Sequence, residues 1–274
     1  LTAPEFVRLA KGIEARGAAD IARRVYQTCG QVMRYAVAHG LADRNPVAEV
    51  KPGDVLKARQ KKNFARIDVE ELPDLMRKIM GYDGSVYTRL ALQLMPMTFV
   101  RTSELIEARW QEFDLERAEW RIPAERTKKR REHLVPLSRQ ALEVLSYLRA
   151  AHSDPEKCTG AALLFPGERD RSRPMSNNTI LSALYRMGYR GRMTGHGFRG
   201  VATTALIEMG YRVEVVRAAL SHLIKDATEA AYNHALYIEE RRSLMQQWAD
   251  YLDLVKQPGK PGKVLPLRRK RAAA

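Results

Sequence analysis

A chain of 274 residues, 45% hydrophobic and 29% charged, has the balance of a folded protein with one ordinary core and a smaller companion domain, which excludes a disordered chain. Lys plus Arg number 47 against 32 Asp plus Glu, and this net charge of +15 points to a polyanionic partner, because each neutralised phosphate releases condensed counterions. The two cysteines, Cys29 and Cys158, exclude a disulfide framework or a cysteine metal site, and no stretch has the pattern of a signal peptide or a membrane span.

The first 60 residues read as helical, and 1–50 is taken as a first domain. Thr2 and Glu5 form a capping box ahead of Phe6, Leu9 and Ile13. A longer helix follows, with Ile21, Val25, Val32 and Ala36 as its expected inner face, ended by Gly40 and the turn Arg44-Asn45-Pro46. So thin a module is marginal alone, and with Leu1 in place of Met it suggests a fragment of a longer protein. Residues 51–67 are polar and basic and read as an interdomain linker. Its Lys57, Arg59, Lys61 and Lys62 either track backbone phosphates or are simply solvated.

A second domain is expected over 68–255, opened by a capping box of Asp68 and Glu71 before Leu72, Leu75, Met76 and Ile79. A buried helix over 86–98 and a short one over 103–109 follow. Strands at 119–122 and 133–137 then flank the charged turn Lys128 to Arg131, where Lys129, Arg130 and Arg131 are candidate DNA contacts. Ser138 caps a helix running to Ala151, and further helices are expected at 177–187, 197–209, 213–219 and 227–255, the last capped by Asp226 and Glu229. The expected fold is α+β and mainly helical, with a small antiparallel sheet. Residues 256–274 carry seven basic residues and no acid, so +8 remains on the rest, and the tail reads as flexible.

Four segments place a conspicuous polar group in an otherwise structural setting. They are Thr98-Phe99-Val100-Arg101 with Glu104, the basic turn with Lys128, Thr194-Gly195-His196-Gly197-Phe198-Arg199, and Leu220-Ser221-His222 with Tyr232 ten residues on. Each alone has an ordinary explanation: a surface arginine, a solvated turn, a core histidine or tyrosine. Together they supply a chemistry. Two guanidinium groups can clamp a phosphodiester and stabilise charge in its transition state. A tyrosine can form a covalent intermediate once a base takes its proton, histidine suits that transfer, and lysine can protonate a departing oxygen. A metal-dependent nuclease is disfavoured, since no HExxH helix and no close carboxylate pair set among histidines is present, and no cofactor or metal is expected.

The ordered set Arg101, Lys128, His196, Arg199, His222 and Tyr232, with Leu220-Ser221-His222 ahead of Ala231-Tyr232-Asn233, resembles the tyrosine recombinase or phage integrase family. The likeness covers roughly residues 68–250 and is strongest to integrases of temperate phages and genomic islands, through Ile122-Pro123-Ala124-Glu125-Arg126-Thr127-Lys128 and Val135-Pro136-Leu137-Ser138. Two departures are visible: the segment before Arg101 lacks the glycine of other branches, and Tyr232 lies ten rather than nine residues beyond His222.

The resemblance implies a recombinase catalytic domain preceded by a partial helical core-binding domain. It implies that Tyr232 attacks the scissile phosphate, that Arg101 and Arg199 hold it, and that Lys128 is the general acid. It implies further that His196 accepts a proton, that His222 bonds the phosphate, and that Glu104 orients its neighbours. Tyr237 is the alternative nucleophile. The implied partners are duplex DNA attachment sites, three further copies in a homotetramer on DNA (a monomer or weak oligomer without it), and accessory DNA-bending proteins, in the bacterial cytoplasm and with no membrane. A type IB-like topoisomerase, or a noncatalytic DNA-binding protein on the same scaffold, is the alternative.

Overall fold

The computed structural model describes residues 1–58, 64–128, 130–152, 155–221 and 237–257, and it divides into two compact units, Leu1–Asn63 and Phe64–Ala274. The first unit is a pair of helices, α1 (Ala3–Ala15) and α2 (Ala19–Ala38), closed by a short turn of helix at Pro46–Glu49 and by α3 (Pro52–Val55). The Glu5 carboxylate accepts the Thr2 backbone N–H at 2.7 Å, as a capping box requires. Ala10, Ile13, Ala22, Tyr26, Val47 and Leu56 form its small core, and the Tyr26 hydroxyl meets the Val50 carbonyl at 3.0 Å.

Two expectations are corrected here. The inner face of α2 is Ala22, Tyr26 and Gly30, whereas Ile21 and Val32 are exposed. Ala22 and Tyr26 cluster with Ala10, Ile13 and Val47, Gly30 backs onto Val47, and Val25 of the expected face is partly buried against the same core. Residues 51–57 are also not a free linker. Leu56 is buried in this core, the Lys57 N–H donates to Glu14 at 2.8 Å, and the Lys57 carbonyl accepts from Arg23 at 2.8 Å.

The second unit surrounds one buried helix. α5 (Val86–Thr98) has Leu90, Ala91, Leu92, Leu94 and Met95 at 5% exposure or less, and α4 (Leu72–Met80), α7 (Arg139–Ala151), α8 (Asn178–Arg186) and α9 (Gly197–Glu208) pack around it. Ser138 caps α7 through the Ala141 N–H at 3.2 Å, as expected of it. α6 (Thr102–Ile106) follows α5 directly, and α10 (Val213–Ala219) follows α9.

The sheet is an antiparallel meander of β1 (Phe113–Asp114), β2 (Glu119–Ile122) and β3 (His133–Pro136), with Trp120 opposite Val135 and Ile122 opposite His133. Alternation sends Trp120 and Ile122 into the core and leaves Arg121 outside, so the register of the β2–β3 hairpin is fixed by burial. That register sets where the turn carrying Lys128 projects.

α11 (Ile238–Val255) packs on the core of its own domain through Leu244, Met245, Trp248, Leu252 and Val255, none above 1% exposed. Each such side chain contributes about 1.5–3 kcal/mol of burial. The expected uninterrupted helix over 227–255 is corrected: α11 starts at Ile238, because Tyr237 ahead of it has φ −109° and ψ 11°. Tyr237 instead lies under the Arg212 guanidinium, 5.2 Å from ring centroid to cation. The cap expected of Asp226 and Glu229 lies outside the described residues. The Asp68 cap does not form, since Val69–Glu71 is a 3-10 turn and Glu71 is ion-paired with Arg192.

Candidate active site

The site begins where α5 stops. Phe99 takes the left-handed conformation with φ 55°, which costs a non-glycine residue on the order of 1–2 kcal/mol. Its ring is fully buried, with its centroid 6.0 Å from that of Trp248, and this packing holds the backbone there. The turn delivers Arg101 to the N-terminus of α6. Glu104, one turn on and 2% exposed, reaches back to accept the Arg101 backbone N–H at 2.8 Å and its guanidinium at 2.5 Å. Backbone and side chain of Arg101 are thus fixed by one carboxylate.

Arg199 rises from the first turn of α9 and is 3% exposed. Its guanidinium donates to the Phe99 carbonyl and, at 2.5 Å, to the Leu220 carbonyl. Burial, followed by the charge of Arg101, pulls its pKa down to about 10, with Glu104 opposing. It remains a cation at neutral pH. Arg101 stands close enough to disfavour the charge of the desolvated Arg199, and such a pair forms a site that an anion relieves.

His196 precedes α9. Its ring meets that of Phe64 at a centroid distance of 4.4 Å. Partial burial, then the charges of Arg199, Arg101 and Lys128, hold its pKa below the ordinary imidazole value, so it is neutral at neutral pH and can accept a proton. Glycines flank it for a reason. A Cβ at Gly195 would stand 2.5 Å from the Thr102 hydroxyl oxygen, and one at Gly197 would stand 2.7 Å from the Ala65 carbonyl. The His196 segment is therefore pressed against the start of α6 on one side and against Ala65 on the other.

Lys128 is exposed at the tip of the β2–β3 hairpin, and its charge reaches His196. The Thr127 hydroxyl closes the neck of that loop, donating to the Arg131 carbonyl at 2.7 Å and accepting the Arg131 N–H at 3.1 Å.

The structure thus brings Arg101, Glu104, Lys128, His196 and Arg199 together. His222 and Tyr232 lie outside the described residues, as do Arg59, Lys61, Lys62 and Lys129. Lys57, Arg130 and Arg131 are exposed. Phe64 and Arg66 escaped the sequence reading because they sit in a stretch taken as linker. Arg66 donates to the Gly200 carbonyl at 2.6 Å and to the Thr204 hydroxyl at 2.8 Å, so the chain from Phe64 is fastened along α9. A lone aromatic among basic residues was the available signal. Among the described residues, no group of three or more His, Cys, Asp or Glu side chains is placed to hold a metal ion.

Comparison with known proteins places the chain in a family. Residues 65–239 match the phage integrase family and residues 1–53 match the phage integrase central domain. The integrase of Enterobacteria phage P4 is 39% identical over 260 residues, covering 89% of this chain and 57% of that protein. Prophage integrase IntA of Escherichia coli K12 is 37% identical over 250 residues, covering 91% and 59%. The chain therefore spans somewhat over half the length of these relatives. Among solved structures, a lambda integrase tetramer bound to a Holliday junction superposes with a TM-score of 0.61 at 19% identity, over 83% of this chain and 66% of that one, a likeness of fold.

Proposed function

This chain belongs to the phage integrase family, and on that premise we propose that it carries the strand-cleaving machinery of a tyrosine site-specific recombinase. The observation that carries the reading is the convergence of Arg101, Arg199 and Lys128 on a neutral His196, with Arg101 fixed by buried Glu104. A phosphodiester is the ligand such a site suits. The two guanidinium groups would hold its nonbridging oxygens and stabilise the charge that gathers on them in the transition state.

In this reading the Tyr232 hydroxyl oxygen forms a bond to phosphorus as its proton passes to His196. The bond from phosphorus to the 5′ oxygen breaks, and Lys128 protonates that oxygen as it leaves. The products are a 3′ phosphotyrosyl link and a 5′ hydroxyl, with His222 bonding the phosphate. Attack by a 5′ hydroxyl of the partner duplex reverses the step on a new strand, without ATP, since the phosphotyrosyl bond conserves the phosphodiester energy.

The first unit, matching the central domain of the family, would be the part of a core-binding domain that grips the duplex with the exposed Lys57, and the basic turn with Arg130 and Arg131 would add phosphate contacts. Lambda integrase was solved as a tetramer on a Holliday junction, and we extend that assembly, four protomers on two attachment sites, to this protein. Accessory DNA-bending proteins would complete it.

The test is strand exchange. Two linear duplexes, carrying the left and right junctions of the mobile element that encodes the chain, are incubated with the protein and scored for recombinant lengths. Recombinants that require both junctions are expected. Relaxation of supercoiled DNA of any sequence, without exchange, would assign the chain to topoisomerases instead.

A further inference from the structure

The turn that leads into the Lys128 loop holds a buried charge pair that the chemistry above leaves unused. Arg126 closes a 3-10 turn, Ala124–Arg126, two residues before Lys128. Its guanidinium is ion-paired with Glu112, whose side chain is only 4% exposed, and a second nitrogen donates to the Glu104 backbone carbonyl at 2.6 Å. Glu112 also accepts the Trp120 indole N–H at 2.9 Å.

The partners define what the group does. Glu104 is the residue that fixes Arg101, and its carbonyl lies in the last turn of the five-residue helix α6, where carbonyls run out of intrahelical donors and a cation is favoured. Trp120 is one of the two inward apolar residues of β2, the strand that feeds the hairpin. Glu112 sits just ahead of β1. One planar guanidinium therefore fastens the neck of the Lys128 loop to the helix that carries Arg101. A forked group is needed, because the carboxylate and the carbonyl are reached by different nitrogens.

We propose that Arg126 is a positioning residue for Lys128. It holds the hairpin loop at a fixed offset from the phosphate clamp, so that the lysine reaches the leaving oxygen. The proposal rests on the reading of Lys128 as general acid, and the test separates the two.

The full chain is assayed on nicked duplexes spanning the element's junction, with the scissile phosphate carrying either the natural bridging 5′ oxygen or a bridging 5′ sulfur. When phosphorus breaks its bond to sulfur, the electron pair leaves on a thiolate that needs no proton. A defect confined to the proton donor then disappears, and a defect in folding, phosphate binding or the nucleophile persists. Because Arg126→Ala strands the buried Glu112 carboxylate and so endangers the fold, the variant used is Arg126→Lys, which keeps the charge and loses the fork.

With the oxygen substrate, Arg126→Lys is expected to cleave on the order of 10- to 100-fold more slowly than wild type, within the range general acids contribute. With the sulfur substrate it is expected to come within about threefold of wild type, as is Lys128→Ala. Rescue of Lys128→Ala but not of Arg126→Lys would overturn the positioning role. Rescue of neither would overturn the general-acid reading on which it rests. Cleavage of the oxygen substrate by Arg126→Lys at the wild-type rate would also overturn the positioning role.

Discussion

The guanidinium of buried Arg199 donates to the backbone carbonyl of Phe99, the residue whose left-handed conformation ends α5 and opens the turn to Arg101. It also donates to the carbonyl of Leu220, two residues before His222. One side chain thus ties together the turns that precede two of the proposed catalytic residues. It also explains a departure seen in the sequence. Where other branches of the family have glycine ahead of the arginine, this chain keeps the backbone that glycine favours and stabilises it by burying a phenylalanine ring.

Phe99 offers a stability test with an inverted sign. Phe99→Ala is expected to destabilise the protein by about 3–5 kcal/mol, through lost burial and a cavity beside Trp248. Phe99→Gly loses the same ring but sheds the left-handed strain, so it should be about 1 kcal/mol more stable than Phe99→Ala. Urea denaturation measures both. Alanine more stable than glycine here, as in an ordinary helix, would show that the strain is absent.

Gly195 is expected to tolerate no side chain, because its Cβ would lie 2.5 Å from the Thr102 oxygen, next to Arg101. Gly195→Ala should cost about 1–3 kcal/mol and reduce DNA cleavage, since the clash pushes the start of α6 away from His196. Adding Thr102→Ala should recover much of both losses, a coupling that thermal melts and cleavage rates can measure. Gly12, in α1 with nothing within 4 Å of its Cβ position, is the control. Gly12→Ala should raise stability by about 0.5–1 kcal/mol.

The pH dependence of His196 follows from its depressed pKa. The folded protein resists protonating this ring, so below the ordinary value of 6.5 the unfolded chain binds the proton first. The stability this contributes is complete above pH 6.5 and is lost as pH falls toward the folded pKa. An NMR titration of the imidazole should place the wild-type midpoint below 6.5, and Lys128→Ala, which removes one neighbouring charge, should raise it. A wild-type midpoint at or above 6.5 would contradict the electrostatic account of the site.

Trp248 anchors α11 by donating its indole N–H to the Pro96 carbonyl at 2.8 Å. Trp248→Phe should lose that bond and some volume, for about 1–2 kcal/mol, and Trp248→Ala about 3–5 kcal/mol. Calorimetry or urea denaturation distinguishes the two. Equal losses would mean that the ring, and not its N–H, does nothing specific at this position.

Much of the site was legible in the sequence because its residues are polar interruptions in structural segments. Arg101 stands between an apolar helix and a short one, His196 stands between glycines, and Lys128 sits at a hairpin tip bounded by strands that alternate. The helix at 86–98 and the Ser138 cap were legible for the same local reasons. What was not legible depends on tertiary contact. The inner face of α2 turns on where Ala10, Ile13 and Val47 pack against it, and Leu56 looks like linker until its partners are known. Nothing local distinguishes Arg126 from the solvated arginines beside it, since its burial comes from Glu112 and from the carbonyl end of α6.

The most direct measurement of the central claim is covalent trapping. Nicked duplexes spanning the junctions of the element that encodes the chain are incubated without divalent metal, with wild type, Tyr232→Phe or Tyr237→Phe, and resolved on a denaturing gel. A denaturation-resistant protein–DNA adduct is expected with wild type and with Tyr237→Phe, and none with Tyr232→Phe. An adduct that persists in Tyr232→Phe would contradict the account and pass the role of nucleophile to another residue.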